Sequence, residues 1–374
     1  MSSSTLDVAE GIRQLATERV APSAVAVDRN RAFPQQSLDA LADGGWLGLL
    51  VPTEFGGHGG GLVSLAQACE ELGSACASTA MVFVMHSVTA ATIAGGGGPR
   101  AADYLRAMAE GKLLGTLAFS ERGTGAHFYA PELAAVEQDG QVRISGRKSF
   151  VTSGGHAGIY LVLTQSSGEG LDCHAVTPAD GIGFDGSWEG LGMRGNSSVA
   201  AEFDCAIDAS ARIGDSGAGQ ALVFGAVAPS FLVGLAAVNV GIASAALAAT
   251  VDHAATRRYS DGSSLAEIQS IQHALAGMDI ATRSARLLVH AAAAAGDAAD
   301  ETALVQLMEA KVLATDTAAV VTQSALEVCG GQGFTPALPI ERHLRDARAG
   351  AVMAPTNGVL RNWIGKALAG LPVP

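Results

Sequence analysis

The sequence predicts an α+β protein in three consecutive parts: a helical domain over 1–114, a small β domain over 115–218 and a helical bundle over 219–374. Three observations carry this. Apolar residues recur at helical spacing up to about residue 110. At Gly115 the pattern changes to short β-branched and aromatic runs parted by Gly, Asp and Ser. After about residue 220, three apolar segments of near thirty residues each follow with short links, which suits a four-helix-type antiparallel bundle.

In the first part, Leu6, Ile12, Leu15 and Val20 recur at loose helical spacing, with Arg and Glu between them. Pro34 opens a second helix carrying Leu38, Leu41 and Leu47. The run PTEFGGHGGG, Pro52 to Gly61, is a loop by composition. Helical periodicity resumes over Leu62–Gly73. The segment Thr79–Gly95 is apolar nearly all round, which predicts burial.

In the middle part, TLAFSE, QVRISGRKSFVTSG and IYLVLTQ read as strands, Asp139-Gly140 as a hairpin turn, and VAAEFDCAI, Val199 to Ile207, as the closing strand. In the last part the first long helix is broken only at Pro229; two more follow, starting near Leu265 and Glu301. No doubly wound sheet is visible, so a dinucleotide must be held another way.

Composition narrows the function. The net charge of −13, from 23 Lys plus Arg against 36 Asp plus Glu, comes without any basic run, which excludes nucleic acid as a partner. Only 16% of residues are charged, which suggests that part of the surface is buried in an oligomer. Cys69, Cys76, Cys173, Cys205 and Cys329 form no CxxC and no disulfide framework, which points to a reducing compartment; no metal site is expected. The N-terminus lacks the cationic head, apolar core and cleavage site of a signal peptide. The Ala-rich stretches are interrupted before reaching a membrane span. The expectation is a soluble cytoplasmic protein without membrane insertion.

Five motifs stand in order: LAFSERGTG at 117–125, SGRKSFVTSGG at 145–155, LGMRGNSSVAAEFDCAI at 191–207, RRYSDGSSLAEIQSIQ at 257–272, and LEVCGGQGF with IERHLRDAR at 326–348. In sequence and at this spacing they resemble the acyl-CoA dehydrogenase family over nearly the whole chain. The resemblance implies a homotetramer, or a dimer of dimers. It also implies an FAD between the β domain and the C-terminal bundle, partly clamped by the neighbouring subunit.

Strand alternation turns Phe119 and Ser120 to opposite sides, with both main chains expected to lie alongside the flat cofactor, and puts Phe150 and Thr152 on one face. By the resemblance, Ser120 reaches the flavin pyrimidine, Phe150 packs on the isoalloxazine and Thr152 donates near N5. Gly125 lies in a Gly-rich turn that can approach a phosphate. Gly330, Gly331 and Gly333 are implied to cradle the neighbour's pyrophosphate, with Arg257 or Arg258 pairing it and Ser260 assisting. Gln269 takes an adenosine-side contact and Thr356 keeps its cofactor-side place. Asp261 stands where an aromatic is usual, and is an electrostatic objection. On the residues alone, Phe150 reads as a core aromatic and Thr152 as an ordinary strand residue. The glycines read as plain turns, and the arginines as a solvated helix–helix turn.

The family's typical reaction needs a glutamate above the substrate α-carbon. Counting from Asp346 and Ala347 puts the usual aromatic at Met353 and the glutamate at Ala354. Pro355 replaces a glycine, while Thr356 and Arg361 stay in phase. Ala354 offers only its backbone N–H. The alternative base position, about Phe231 or Leu232, also lacks an acid, and the adjacent CoA-contacting arginine is absent. His86, His127, His253 and Asp261 are the remaining polar candidates. His86 draws attention because it interrupts an apolar helix, though a hydrogen-bonded core histidine is its plainer reading, as a structural role is for the other three.

Three functions follow. The first is FAD-dependent oxidation of an acyl thioester, bound to CoA or a carrier protein, at the α,β-carbons with a non-standard base. An electron-transferring flavoprotein is then a possible partner. The second is a desulfinase-, oxidase- or monooxygenase-like flavin chemistry. The third is a non-catalytic FAD-binding subunit of a hetero-oligomer. Phe128, Met353 and Pro355 are expected to bear on the substrate. Arg122 either meets an anionic group or pairs with Glu121 at the surface.

Overall fold

The computed structural model describes residues 8–373, so the reading at Leu6 lies outside the described residues. Helix α1, Val8–Leu15, buries Val8 and Ile12. It passes through a π turn, Ala16–Val20, and a 3-10 turn, Ala21–Ser23, into α2, Ala24–Asn30. Arg31, in the left-handed region at φ 52°, stops α2. Pro34 caps α3, Gln35–Asp43, which is therefore the third helix rather than the second. Leu38 and Leu41 are buried on it, but Leu47 belongs to a separate turn, Trp46–Gly48. Helices α4, Leu62–Ala75, α5, Ala77–Gly96, and α6, Ala101–Ala109, complete the first part. Helix α5 is buried without interruption from Ala77 to Ala90, as an all-round apolar sequence requires.

The middle part is two four-stranded sheets. Its strands are β1, Gly115–Ala118, β2, Ala135–Gln138, β3, Gln141–Val151, β4, Ile159–Gln165, β5, Leu171–Val176, β6, Ile182–Asp185, β7, Val199–Asp208, and β8, Arg212–Ile213. The orders are β1-β4-β5-β8 and β2-β3-β7-β6, and β1 runs parallel to β4. Asp139 and Gly140 form the two-residue hairpin turn between β2 and β3, both at positive φ. Between the sheets lies a separate core that includes Val142, Ile144, Tyr160, Val162 and Phe203.

The last part begins with α7, Gly219–Leu222, a π turn, Val223–Val227, and α8, Ala228–Thr256. Together they form one continuous helical run, Gly219–Thr256. The break expected at Pro229 is absent. Pro229 sits in the first turn of α8, directly after the π turn, where a missing N–H costs little. Helices α9, Gln269–Asp297, α10, Ala303–Gly333, α11, Ile340–Val352, and α12, Asn357–Leu368, follow. Helix α8 is the axis: α4, α5, α9, α10 and α11 all pack on it. Glycines make its contact with α4 close. A Cβ at Gly241 would lie 2.2 Å from the Glu70 carbonyl, and one at Gly73 would lie 2.6 Å from that of Val238. The helices of both ends of the chain thus share one core, from Val8 to Trp363.

Two helices, Ala77–Gly96 and Gly219–Thr256, are long and apolar enough to cross a membrane, which corrects the expectation that no stretch reaches that length. Most of each apolar window is buried inside the protein, as for core helices.

Candidate active site

The outer end of β3 carries the first cluster of candidates. Its inward positions run Val142, Ile144 and Lys148, and a bulge between Lys148 and Val151 then breaks the alternation. Phe150 takes φ 55° at the bulge and its side chain is 72% exposed, whereas Thr152 lies beyond the strand and is buried. The two do not share a face, because the extra residue resets the period. Strand β1 likewise ends at Ala118, so Phe119 and Ser120 leave it; Phe119 is buried and Ser120 half-buried. The Ser120 carbonyl accepts the Ser149 N–H at 2.8 Å.

Thr152 Oγ1 lies 2.9 Å from Ser198 Oγ, and the Thr152 carbonyl accepts Thr116 Oγ1. Near them, Ser153 Oγ and both amide atoms of Asn196 are buried without a partner. The Phe150 ring stands edge-on to Trp188, with centroids 6.5 Å apart. The Trp188 indole donates to the Met193 carbonyl at 3.0 Å, and the Met193 N–H donates to Asp346 Oδ1 at 2.6 Å. The exposed aromatic is therefore braced from α11. Burial raises the Asp346 carboxyl to about 6.

A buried ion pair ties down the loop that carries Ser120, Gly125 and Phe128. Lys148 Nζ donates to Glu121 Oε1 at 2.6 Å and to the Leu163 carbonyl at 2.6 Å. Burial lowers the Lys148 amine, and Glu121 opposes that shift. Glu121 also accepts the Glu132 and Leu133 N–H groups, so it is not the surface partner of the exposed Arg122. Gly125 takes φ 57° with open space where a Cβ would stand. Phe128 is buried beside Tyr129, whose ring meets Phe224 and Trp363 and so joins the loop to the π turn and α12.

A second cluster of candidates is the turn from α11 to α12. Met353 and Ala354 are half-buried and Pro355 is buried. Thr356 caps α12, its Oγ1 accepting the Val359 N–H. Beneath the turn, Lys311 is fully buried and donates to the Pro355 carbonyl at 3.0 Å and to Asn357 Oδ1 at 2.8 Å. Asn357 in turn donates to Thr315 Oγ1 and Asp316 Oδ1. Burial lowers the Lys311 amine to about 7; Asp316 opposes the shift and Arg361 adds to it. Gly350 lets α11 approach: a Cβ there would lie 2.6 Å from Thr315 and 2.7 Å from Asn239.

The base candidates separate. His86 is fully buried, its Nε2 within 2.8 Å of the Leu47 carbonyl and its Nδ1 accepting the Gly115 N–H. Both ring nitrogens are occupied and burial lowers it to about 4, so it is a core histidine and not the base. His253 lies twenty-two residues along α8 from Phe231, roughly 33 Å at helical rise. Asp261, farther on, caps its own turn through Ser263. Neither is at this end of α8. His127 is exposed on the loop, with its ring against Tyr129. Phe231 is half-buried and Leu232 buried.

The remaining cofactor candidates gather at the other end of the bundle. Cys329 Sγ lies 3.9 Å from Thr250 Oγ1, and Ala254, Leu265 and Val328 form a small core there. Arg257, Arg258, Ser260 and Gln269 are exposed beside it. Gly330 kinks α10 at φ 55°; Gly330 and Gly331 are exposed with open space at their Cβ positions, and Gly333 packs on Cys329. Along α10 this end is about 28 Å from Lys311.

Lys148, Ser198, Trp188 and Lys311 were not picked out as site residues from the sequence. Only Lys148 carried a signal, a lysine at an inward position of an alternating strand.

The comparisons follow this architecture. Family profiles described as acyl-CoA dehydrogenase N-terminal, middle and C-terminal domains match residues 2–112, 116–206 and 233–369. The cyclohex-1-ene-1-carbonyl-CoA dehydrogenase of Geobacter metallireducens is 34% identical over 97% of both chains. The butyryl-CoA dehydrogenase structure from Megasphaera elsdenii superposes with a TM-score of 0.91 at 27% identity, covering 99% of this chain and 100% of that one. A structure described as the electron transferring flavoprotein of Acidaminococcus fermentans gives a TM-score of 0.93 at 26% identity over 98% of each chain.

Proposed function

Since this chain belongs to the acyl-CoA dehydrogenase family, and is a flavin-dependent oxidoreductase of that fold, we propose that it binds FAD and oxidises an acyl thioester at the α,β-carbons without the family's glutamate. The observation that carries the reading is the braced, exposed Phe150 near the Thr152–Ser198 hydroxyl pair, anchored to α11, which leads into the turn that carries Ala354. A flat aromatic next to buried hydroxyls and unpartnered Ser153 and Asn196 atoms fits a ring system with an apolar face and a polar edge. Phe150, Thr152, Ser120 and the Phe119 main chain would hold that ring system, and the turn at Gly125 would approach a phosphate. Arg257, Arg258, Ser260, Gln269, Gly330, Gly331 and Gly333 would serve the neighbouring subunit's cofactor. Bound there, FAD would supply the two-electron acceptor.

The chain's own groups divide the work. The Ala354 N–H donates to the thioester carbonyl and favours its enolate. Met353, Pro355 and Phe128 supply an apolar lining. Of the four polar base candidates, His127 alone sits on a loop joined to the aromatic cluster at this end, and it takes the base role in this reading. The Geobacter relative's name supports a cyclic unsaturated acyl-CoA as the first substrate to test. The Acidaminococcus similarity supports an electron-transferring flavoprotein as acceptor. Exposed Ile280 and Leu287 on α9, Val320 midway along α10 and Phe334 just beyond its end support a homotetramer or dimer.

The absence of an acid at 354, 231 and 232 favours a second reading, a flavin chemistry that needs no α-proton base. Anaerobic titration with cyclohex-1-ene-1-carbonyl-CoA and butyryl-CoA separates the two. The first predicts flavin bleaching, a product lighter by two hydrogens, and loss of bleaching in His127→Gln. Tight thioester binding without bleaching would favour the second.

A further inference from the structure

Lys311 is used neither by the fold's apolar packing nor by the mechanism above. It is fully buried on α10, and its hydrogen-bond acceptors are a backbone carbonyl and a neutral amide rather than a carboxylate. A buried ammonium without a carboxylate partner is a costly way to hold two helices together. It is an effective way to fix two acceptors in space, because a single Nζ donates to both, at 3.0 and 2.8 Å. Those acceptors, Pro355 O and Asn357 Oδ1, stand on the turn that links α11 to α12 and contains Ala354.

We propose that Lys311 is a positioning residue that locks the 353–357 turn from beneath and thereby aims the Ala354 N–H at the substrate carbonyl. The inference rests on the acyl-thioester reading. It gives a physical reason for the amine's place. With alanine at 354, the turn can act on substrate only through its backbone. The direction of a backbone N–H is set by whatever holds that backbone. Thr315 and Asp316 bind the other side of Asn357, and Asp316 pairs with Arg361, so the clamp runs from α10 into α12. Asp316, on the same helix, and Arg361, on α12, are the charged groups acting on the amine.

The test uses FAD-loaded protein and three substitutions. Lys311→Met keeps the bulk and removes the donors. Lys311→Gln keeps two donors without the charge. Asn357→Ala removes one acceptor and leaves the lysine. Hydrogen exchange is read at the Ala354 and Thr356 amides, with Leu360–Leu368 as internal control. Lys311→Met is expected to speed exchange at 354 and 356 by about tenfold or more, with the rest of α12 unchanged and partial recovery in Lys311→Gln. In titrations with butyryl-CoA and cyclohex-1-ene-1-carbonyl-CoA, the limiting rate of flavin reduction should fall by about tenfold or more while the thioester Kd stays nearly constant. Unchanged exchange in a folded Lys311→Met protein would overturn the proposal, and so would equal loss in the Met and Gln variants. If Lys311→Met does not fold, Asn357→Ala decides: exchange at 354 must rise. If no thioester reduces the wild-type flavin, the proposed reaction falls, and the exchange measurements still decide the role of Lys311.

Discussion

Lys148 Nζ lies 2.6 Å from Glu121 Oε1, with the lysine fully buried and the glutamate nearly so. The pair joins the end of β3 to the loop that begins at Ser120. It is completed by the Leu163 carbonyl on one side and the Glu132 and Leu133 amides on the other. Removing one partner strands the other charge. Glu121→Gln or Glu121→Ala should therefore destabilise the protein by about 3–5 kcal/mol in urea unfolding. The double change Glu121→Gln, Lys148→Met should recover part of the loss. A single variant as stable as the starting protein would mean that the pair contributes nothing.

The purified protein should carry noncovalent FAD, about one per subunit, as the family resemblance implies. Phe150→Ala should weaken it without lowering the melting temperature of the apoprotein, because the ring is exposed and covers no core. A colourless protein that takes up no added FAD contradicts this, as does a Phe150→Ala variant with unchanged FAD affinity.

Gly331→Asp isolates the shared site. The position is exposed and a Cβ there meets nothing within 4 Å, so the chain's own fold has no reason to resist the change. Lost FAD and a weakened oligomer in an otherwise stable protein are expected, because a carboxylate would face a neighbour's pyrophosphate. Sedimentation showing an FAD-loaded monomer would rule the shared site out.

Restoring a carboxylate should restore the ordinary reaction. Ala354→Glu is expected to raise the anaerobic rate of flavin reduction by acyl-CoA, since general base catalysis contributes on the order of 10²–10⁴. Pro355 restricts the backbone of the residue before it, so Ala354→Glu, Pro355→Gly is the control. The Pro355 carbonyl that Lys311 binds is backbone and survives this change. If both variants fold, keep FAD and bind thioester but reduce flavin no faster, position 354 does not face the α-carbon.

Lys311 should write itself into the pH dependence of stability. Burial lowers its folded-state value to about 7 from 10.5. Between those values the unfolded chain holds a proton that the folded protein has released, so stability rises with pH across that window. The penalty for the buried charge is fully present below about pH 7 and fades toward the ordinary lysine value. The melting temperature of the wild type relative to Lys311→Met should therefore climb as pH rises through this window. A pH-independent difference would show that the amine titrates in its ordinary range.

The order of helices, strands and helices was legible because each element repeats locally. Thr79–Gly95 is apolar on every side, Asp139-Gly140 is a turn on its own, and α8, α9 and α10 announce themselves by length. The strands that escaped notice are short, or carry polar residues inward. β2 and β6 have four residues each and β8 has two, while β5 buries Asp172 and His174. Such runs have no alternation to read.

What the sequence by itself determined was the succession of three parts and the order of motifs, since periodicity and spacing are properties of neighbours along the chain. Which side chains meet was decided only by the tertiary structure. A one-residue bulge separated Phe150 from Thr152, packing closed both nitrogens of His86, and α8 and α10 carried Arg257 and Gly331 to one end of the bundle. Lys311 found Pro355 forty-four residues away. The physical reason is that burial is set by the whole core at once. A charged side chain is placed by the acceptors that folding brings to it, and these lie outside the span over which a local pattern repeats.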